Sequence, residues 1–180
     1  MRTLLWLPGS IFLVLALSGV SQAKEWRGIT PLRSTRVDVE KLLGPPPHVA
    51  LFGVSVYTLD EEEVRVFYVE KESRGGGARG GVECLKKVPA DTVLFVLVSP
   101  KRGLKLEDFR PDLRGFVPFD PTGIDYPPYK AYYDEPGGLI IRTYRGEVDA
   151  IGYVASAGDK RRCPSYYKDP AAFVRVIVEW

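Results

Sequence analysis

Thr92-Val93-Leu94-Phe95-Val96-Leu97-Val98 is apolar at almost every position. A strand of that kind has to be covered on both faces, so it predicts the centre of a sheet. Upstream, Val49–Leu59 alternates and places Phe52, Val54 and Val56 on one face. Val64–Glu70 places Val64, Val66 and Tyr68 on one face and Phe67 and Val69 on the other. Asp60–Glu63 joins these two runs, which predicts a hairpin. Between hairpin and central strand, Ser73–Gly81 is rich in glycine and reads as a loop.

Further upstream, Ser34 or Thr35 caps a helix running to about Leu43. Asp38 and Glu40 lie in its early turns, where negative charge suits the helix dipole. Gly44 supplies the stop, and Pro45-Pro46-Pro47 forbids continuation.

Downstream of Val98, Leu104–Phe109 reads as a short helix, and residues 110–128, rich in Pro, Asp and aromatics, read as irregular. Tyr129–Asp134, Leu139–Tyr144 and Glu147–Val154 read as three strands. They are joined by the turns Glu135–Gly138 and Arg145-Gly146, both with the glycine chemistry of hairpins. Phe173–Trp180 alternates like a final strand, while Asp169-Pro170 equally suits a helix start. The order is helix–strand–strand–strand, twice. The expected fold class is α+β: an antiparallel sheet of about six strands with short helices on one face.

The N-terminus carries an address. Arg2 precedes an apolar run from Leu4 to Val20, interrupted by Pro8-Gly9-Ser10, and Ser21-Gln22-Ala23 then offers small residues at the first and third positions. That is the pattern of a secretory signal peptide cleaved between Ala23 and Lys24. The competing reading, a retained anchor, wants about 20 apolar residues. No Cys follows Ala23, so no lipid is expected there, and membrane association is expected to be peripheral at most. Removing residues 1–23 from the 180 leaves 157, which suits a single domain over residues 24–180 with halves at 24–99 and 100–180.

Without Arg2 the chain keeps 24 basic and 23 acidic residues, a net charge of +1. So balanced a chain has no global field to draw it to nucleic acid. Cys84 and Cys163 are the two cysteines, an even count that favours one disulfide in an oxidising compartment. Such a bridge closes a loop of about 80 residues, worth at most about 4.5 kcal/mol in the chain-entropy model. A metal pair and a reactive thiol are the alternatives, but the spacing is not that of metal ligands.

Trp26-Arg-Gly-Ile-Thr-Pro-Leu-Arg-Ser-Thr-Arg-Val-Asp-Val-Glu-Lys-Leu-Leu-Gly-Pro-Pro46 resembles the opening of a group of small exported bacterial proteins. Cys84, Val88-Pro-Ala-Asp-Thr-Val93 and Arg162-Cys163 extend the likeness over most of the chain. The resemblance implies export and no particular activity. More remotely, Ser34–Pro46 looks like the helix-and-turn motif of the small lipoprotein of the outer-membrane β-barrel assembly complex. The β-lactamase inhibitor proteins share that general fold. This second likeness implies tandem helix-plus-sheet units and a non-catalytic, protein-binding habit. The lipid-bearing Cys of that lipoprotein is missing here.

Little in the sequence points to catalysis. His48 is the only histidine and follows three prolines, so it reads as a turn residue rather than a base. Zinc would need more His and Cys, and Asp120–Asp125 lacks the pattern of a calcium loop. The glycine run at 75–81 lacks the Gly-Lys-Ser/Thr ending of a phosphate loop, so no nucleotide or other cofactor is expected. Paired carboxylates for glycan hydrolysis exist by type, but no spacing selects a pair. The remaining candidate is aromatic. Phe116, Phe119, Tyr126, Tyr129, Tyr132 and Tyr133 crowd a Pro-rich stretch, and such side chains form contact surfaces at low entropy cost. Phe119, Tyr126, Tyr129 and Tyr132 are the candidate partner surface, for a protein or an envelope glycan. The alternative is a satellite cluster that packs a loop onto the sheet. The expected function is non-enzymatic binding; the alternatives are a carboxylate-based envelope hydrolase and a structural accessory of an envelope complex.

Overall fold

The computed structural model describes residues 24–50, 54–69, 88–109, 113–119 and 129–161. It corrects the expected fold class. Among the described residues the chain is mostly β: one antiparallel sheet of nine strands, not about six, with one α-helix longer than a single turn. The helix is α1 (Arg36–Leu43). The strands are β1 (His48–Val49), β2 (Ser55–Thr58), β3 (Glu62–Tyr68), β4 (Val93–Pro100), β5 (Leu104–Lys105), β6 (Val117–Phe119), β7 (Tyr129–Asp134), β8 (Leu139–Tyr144) and β9 (Glu147–Tyr153).

Three short segments account for the difference. Leu104–Phe109, expected to be helical, divides into β5 and the one-turn helix α2 (Leu106–Phe109). Val117–Phe119, expected to be irregular, pairs with β7. His48–Val49 pairs with β2 as a separate strand. Two or three residues carry no detectable alternation, so pairing with an available neighbour decides their state.

The spatial order is β1-β2-β3-β4-β9-β8-β7-β6, with β5 alongside β9. Each half of the chain forms a four-stranded meander, and the last strands of the two, β4 and β9, pair antiparallel at the centre. The order therefore reads the same from either edge. Val96 faces Tyr153 and Val98 faces Ile151, whereas Leu104 faces Val148. So β5 continues the line of β4 along β9 after Lys101–Gly103 leaves it. In the second half a single-turn helix stands where the first half has α1.

Both faces of the sheet are buried, as the apolar run of β4 requires. On one face, Val64, Val66, Tyr68, Val93, Val96, Val98, Ile141 and Ile151 form a core with Val39 of α1 and with Trp26 and Ile29. On the other, Phe67, Phe95, Leu97, Ile140, Ala150 and Val154 cluster, with the Phe67 and Phe95 rings stacked 3.9 Å apart.

The N-terminal segment closes the first face. Trp26 and Ile29 exchange backbone hydrogen bonds across a tight turn, in which Arg27 and Gly28 both take positive φ. Leu32 N–H donates to the Val93 carbonyl, and Val93 N–H to that of Ser34, at 2.8 Å each. Thr35 then caps α1. Its Oγ1 accepts from the Asp38 amide, and Asp38 Oδ2 accepts from the Thr35 amide at 2.9 Å, the reciprocal capping box. Gly44, at φ 82°, ends the helix.

Candidate partner surface

Strand alternation separates the residues that the sequence grouped. Tyr132 pairs with Ile141 and packs against the first core. Tyr129 is three positions earlier, so it lies on the opposite face. Phe119 takes the register position opposite Ala131 in β7. Tyr126 lies outside the described residues, as do Cys84, Cys163 and Ala23. Tyr129 and Tyr132 are therefore divided by the sheet itself.

Tyr129 acquires other company. Its partner across the ladder is Tyr144, and the rings meet at 4.8 Å between centroids with a 42° tilt. The next residue on this face of β8 is Arg142, opposite Ala131. The Arg142 guanidinium lies 5.8 Å from the Tyr129 ring centroid, and that of Arg145 lies 5.2 Å from the Tyr144 centroid. Both distances suit cation–π attraction. Asp149 orients Arg142, accepting from Nε with both oxygens at 3.0 Å and from Nη2 at 2.8 Å. A bidentate pair of this geometry fixes the plane of the guanidinium. Arg145 is exposed at the tip of the β8–β9 turn, and Tyr129 and Tyr144 are half-buried.

The arrangement is a rim in which Arg142 and Tyr144 of β8 and Arg145 of the two-residue β8–β9 turn meet Tyr129 of β7. Aromatic and arginine side chains held in place by their neighbours lose little entropy on binding. Sequence reading missed Tyr144, Arg142 and Arg145. The available signal was register: a turn at Glu135–Gly138 places residue 129 opposite 144.

A second polar group lies beneath α1. Arg36 Nε donates to Asp91 Oδ1 at 3.1 Å and Nη1 to Ser55 Oγ at 3.2 Å, while its guanidinium stacks 4.0 Å from the centroid of Tyr68. The Tyr57 hydroxyl donates to the Gly44 carbonyl at 3.3 Å. The Tyr68 hydroxyl is buried near Ser55, with no partner at full hydrogen-bond geometry among the described residues; burial pushes it up to about 12. These contacts tie α1 to β2 and β3 and read as structural.

Several carboxylates are neutralised locally. Glu62 pairs with Arg27, Glu63 with Arg65, Asp91 with Arg36, Asp134 with Lys24 and Asp159 with Arg33. His48 is exposed at the start of β1. Among the described residues, no three His, Cys, Asp or Glu side chains gather closely enough to hold a metal ion. No described helix is long and apolar enough to cross a membrane.

No family model, no curated protein and no solved structure matches the chain.

Proposed function

We propose that this protein is exported and works without catalysis, by binding a protein of the cell envelope through the rim at the Tyr129–Tyr144 end of the β7–β8 pair. The observation that carries this reading is the Tyr129–Tyr144 pair flanked by Arg142 and Arg145. Tyr and Arg are the side chains that most often dominate binding energy at protein interfaces. The paired carboxylates support binding over hydrolysis, because Asp149 and its counterparts serve cationic neighbours within the fold. Export rests on the Arg2–Ala23 pattern, and with it goes a single Cys84–Cys163 bridge in the mature chain.

The test is cross-linking from a photoreactive residue at position 145 in intact envelopes, followed by purification of the adduct and affinity measurement with that partner. A Tyr144→Ala variant should weaken the purified complex by about 30-fold, the effect of losing an interface anchor of about 2 kcal/mol. Unchanged affinity overturns the rim. Release of product from purified peptidoglycan, lost in Asp149→Asn, would replace binding with hydrolysis.

A further inference from the structure

Lys24 is held at three points by the β7–β8 turn and its surroundings. Its backbone N–H donates to the Gly137 carbonyl at 2.9 Å. Its Nζ lies 3.1 Å from Asp134 Oδ2 and 5.7 Å from the centroid of the Phe116 ring. The receiving turn is itself fixed: Gly137 N–H donates to Asp134 Oδ1 at 3.1 Å, and Gly138 N–H to the Asp134 carbonyl at 2.8 Å. Asp134 is 15% exposed, so a cation beside it meets a carboxylate shielded from much of the solvent. Gly137 leaves room for Lys24: a Cβ there would stand 3.2 Å from Lys24 Cε and 2.3 Å from Asp134 Oδ2.

Lys24 is also the residue that follows Ser21-Gln22-Ala23. We propose that the β7–β8 turn is a receptor for the new N-terminus, so that hydrolysis of the Ala23–Lys24 bond creates an α-ammonium which the Gly137 carbonyl captures, in the field of the Asp134 carboxylate that already holds the Lys24 side chain. The inference rests on the export reading for the cut, and on Lys24 geometry alone for the capture.

The chemistry balances with water as the only co-reactant, supplied at the membrane by a signal peptidase. The amide C–N bond breaks, and the water oxygen goes to the Ala23 carbonyl carbon, giving a carboxylate. The Lys24 nitrogen takes up the protons and becomes an ammonium. One neutral N–H donor becomes three, and a positive charge appears. The bond to Gly137 becomes charge-assisted, which shortens and strengthens it. Amine capture by oriented backbone and carboxylate groups is a known recognition mode. Cleavage therefore does more than release the chain: it adds a clamp between the first residue of the mature chain and the second meander.

Among the described residues, the charged groups at this site or adjacent to it in sequence are Asp134 of β7, Glu135 of the turn, the Lys24 Nζ and Glu25. Asp134 favours the ammonium, and Nζ opposes it. An amine that gains an acceptor on folding has its folded value raised above the ordinary α-amino range near 7.7–8.0. The added stability is present below that range and is lost as pH rises through the folded value.

The experiment compares three preparations: the chain beginning at Lys24 with a free amine, the same chain Nα-acetylated, and a chain that retains Ser21-Gln22-Ala23. At pH 6.5 the free-amine form should melt about 2–4 °C above the other two. At pH 10 the gap should close, and Asp134→Asn should shrink it at pH 6.5. Equal melting at both pH values overturns the capture, whatever the route of export. N-terminal sequencing of the natural product should begin at Lys24. A product beginning at Met1 overturns the cut, whatever the melting data show.

Discussion

Arg33 and Asp159 meet at 3.2 Å although 126 positions separate them in sequence. Asp159 is buried, and its other oxygen accepts from the Ser156 amide at 3.2 Å and hydroxyl at 2.9 Å. The pair thus ties the segment before α1 to the turn after β9. Removing one partner leaves a buried charge short of compensation, which costs about 3–5 kcal/mol when both ions are fully enclosed. Arg33 keeps 35% of its side-chain exposure, so water softens the loss. Arg33→Ala should cost about 2 kcal/mol in urea unfolding. Adding Asp159→Asn should cost less than the sum of the single changes, because the two residues share one interaction.

The cap of α1 gives a second measurement. Thr35→Ala removes the hydroxyl from the box and should lower stability by about 1 kcal/mol. The hydrogen bonds from the Thr35 side chain and backbone hold the Asp38 carboxyl below its ordinary value. A depressed carboxyl contributes stability above the unfolded value, about 3.9, and loses it as pH falls through the folded one. The gap between wild type and Thr35→Ala in thermal melts should therefore narrow below about pH 4.

Two glycines should respond differently to the same change. Gly138 has φ +65°, and a Cβ there would stand 2.3 Å from the Val154 carbonyl oxygen and 3.0 Å from Ala155 backbone atoms. Gly146 has φ +88°, with nothing within 4 Å of a Cβ. Gly146→Ala should cost about 1–2 kcal/mol, the strain of a left-handed residue. Gly138→Ala adds a backbone collision and should cost more, read as a lower urea midpoint and a smaller folded fraction.

Buried and half-buried tyrosines should set the alkaline limit. Tyr57, Tyr68, Tyr133 and Tyr153 are all raised, in each case chiefly by burial, and Tyr68 reaches about 12. A raised phenol contributes stability below the unfolded value, about 10, and loses it as pH rises through the folded one. Stability should fall steeply above about pH 10. Tyr68→Phe removes one such group together with a buried hydroxyl that has no well-formed hydrogen bond among the described residues. It should leave neutral stability within about 1 kcal/mol of wild type and move the alkaline midpoint upward, followed by circular dichroism against pH.

Much of the sheet was legible where period-2 alternation runs for six residues or more. Val64, Val66 and Tyr68 fall on one face and Phe67 on the other, and the apolar run at 93–98 lies in a central strand. Thr35, Asp38 and Gly44 announced α1 through cap chemistry. What escaped were segments whose state depends on a neighbour. Leu104-Lys105 is a strand because β9 extends beyond β4 and offers backbone groups there. Tyr129 and Tyr132 part for a related reason. They are close in sequence, but an odd separation within a strand divides them, and the cross-strand neighbour of Tyr129 is Tyr144, fifteen positions away. Proximity along the chain misleads inside a hairpin, where the turn determines the pairs.

The palindromic strand order leaves β1 and β6 at its two ends. β1 has two residues and follows Pro45-Pro46-Pro47; β6 has three, with Pro118 in the middle. A proline has no amide hydrogen to offer an incoming chain, and a stub of two or three residues offers few docking bonds. The described sheet is wide, yet it ends on both sides in strands poorly suited to recruiting sister molecules. That protection against fibre growth matters most for a chain that folds at high local concentration without a companion already bound.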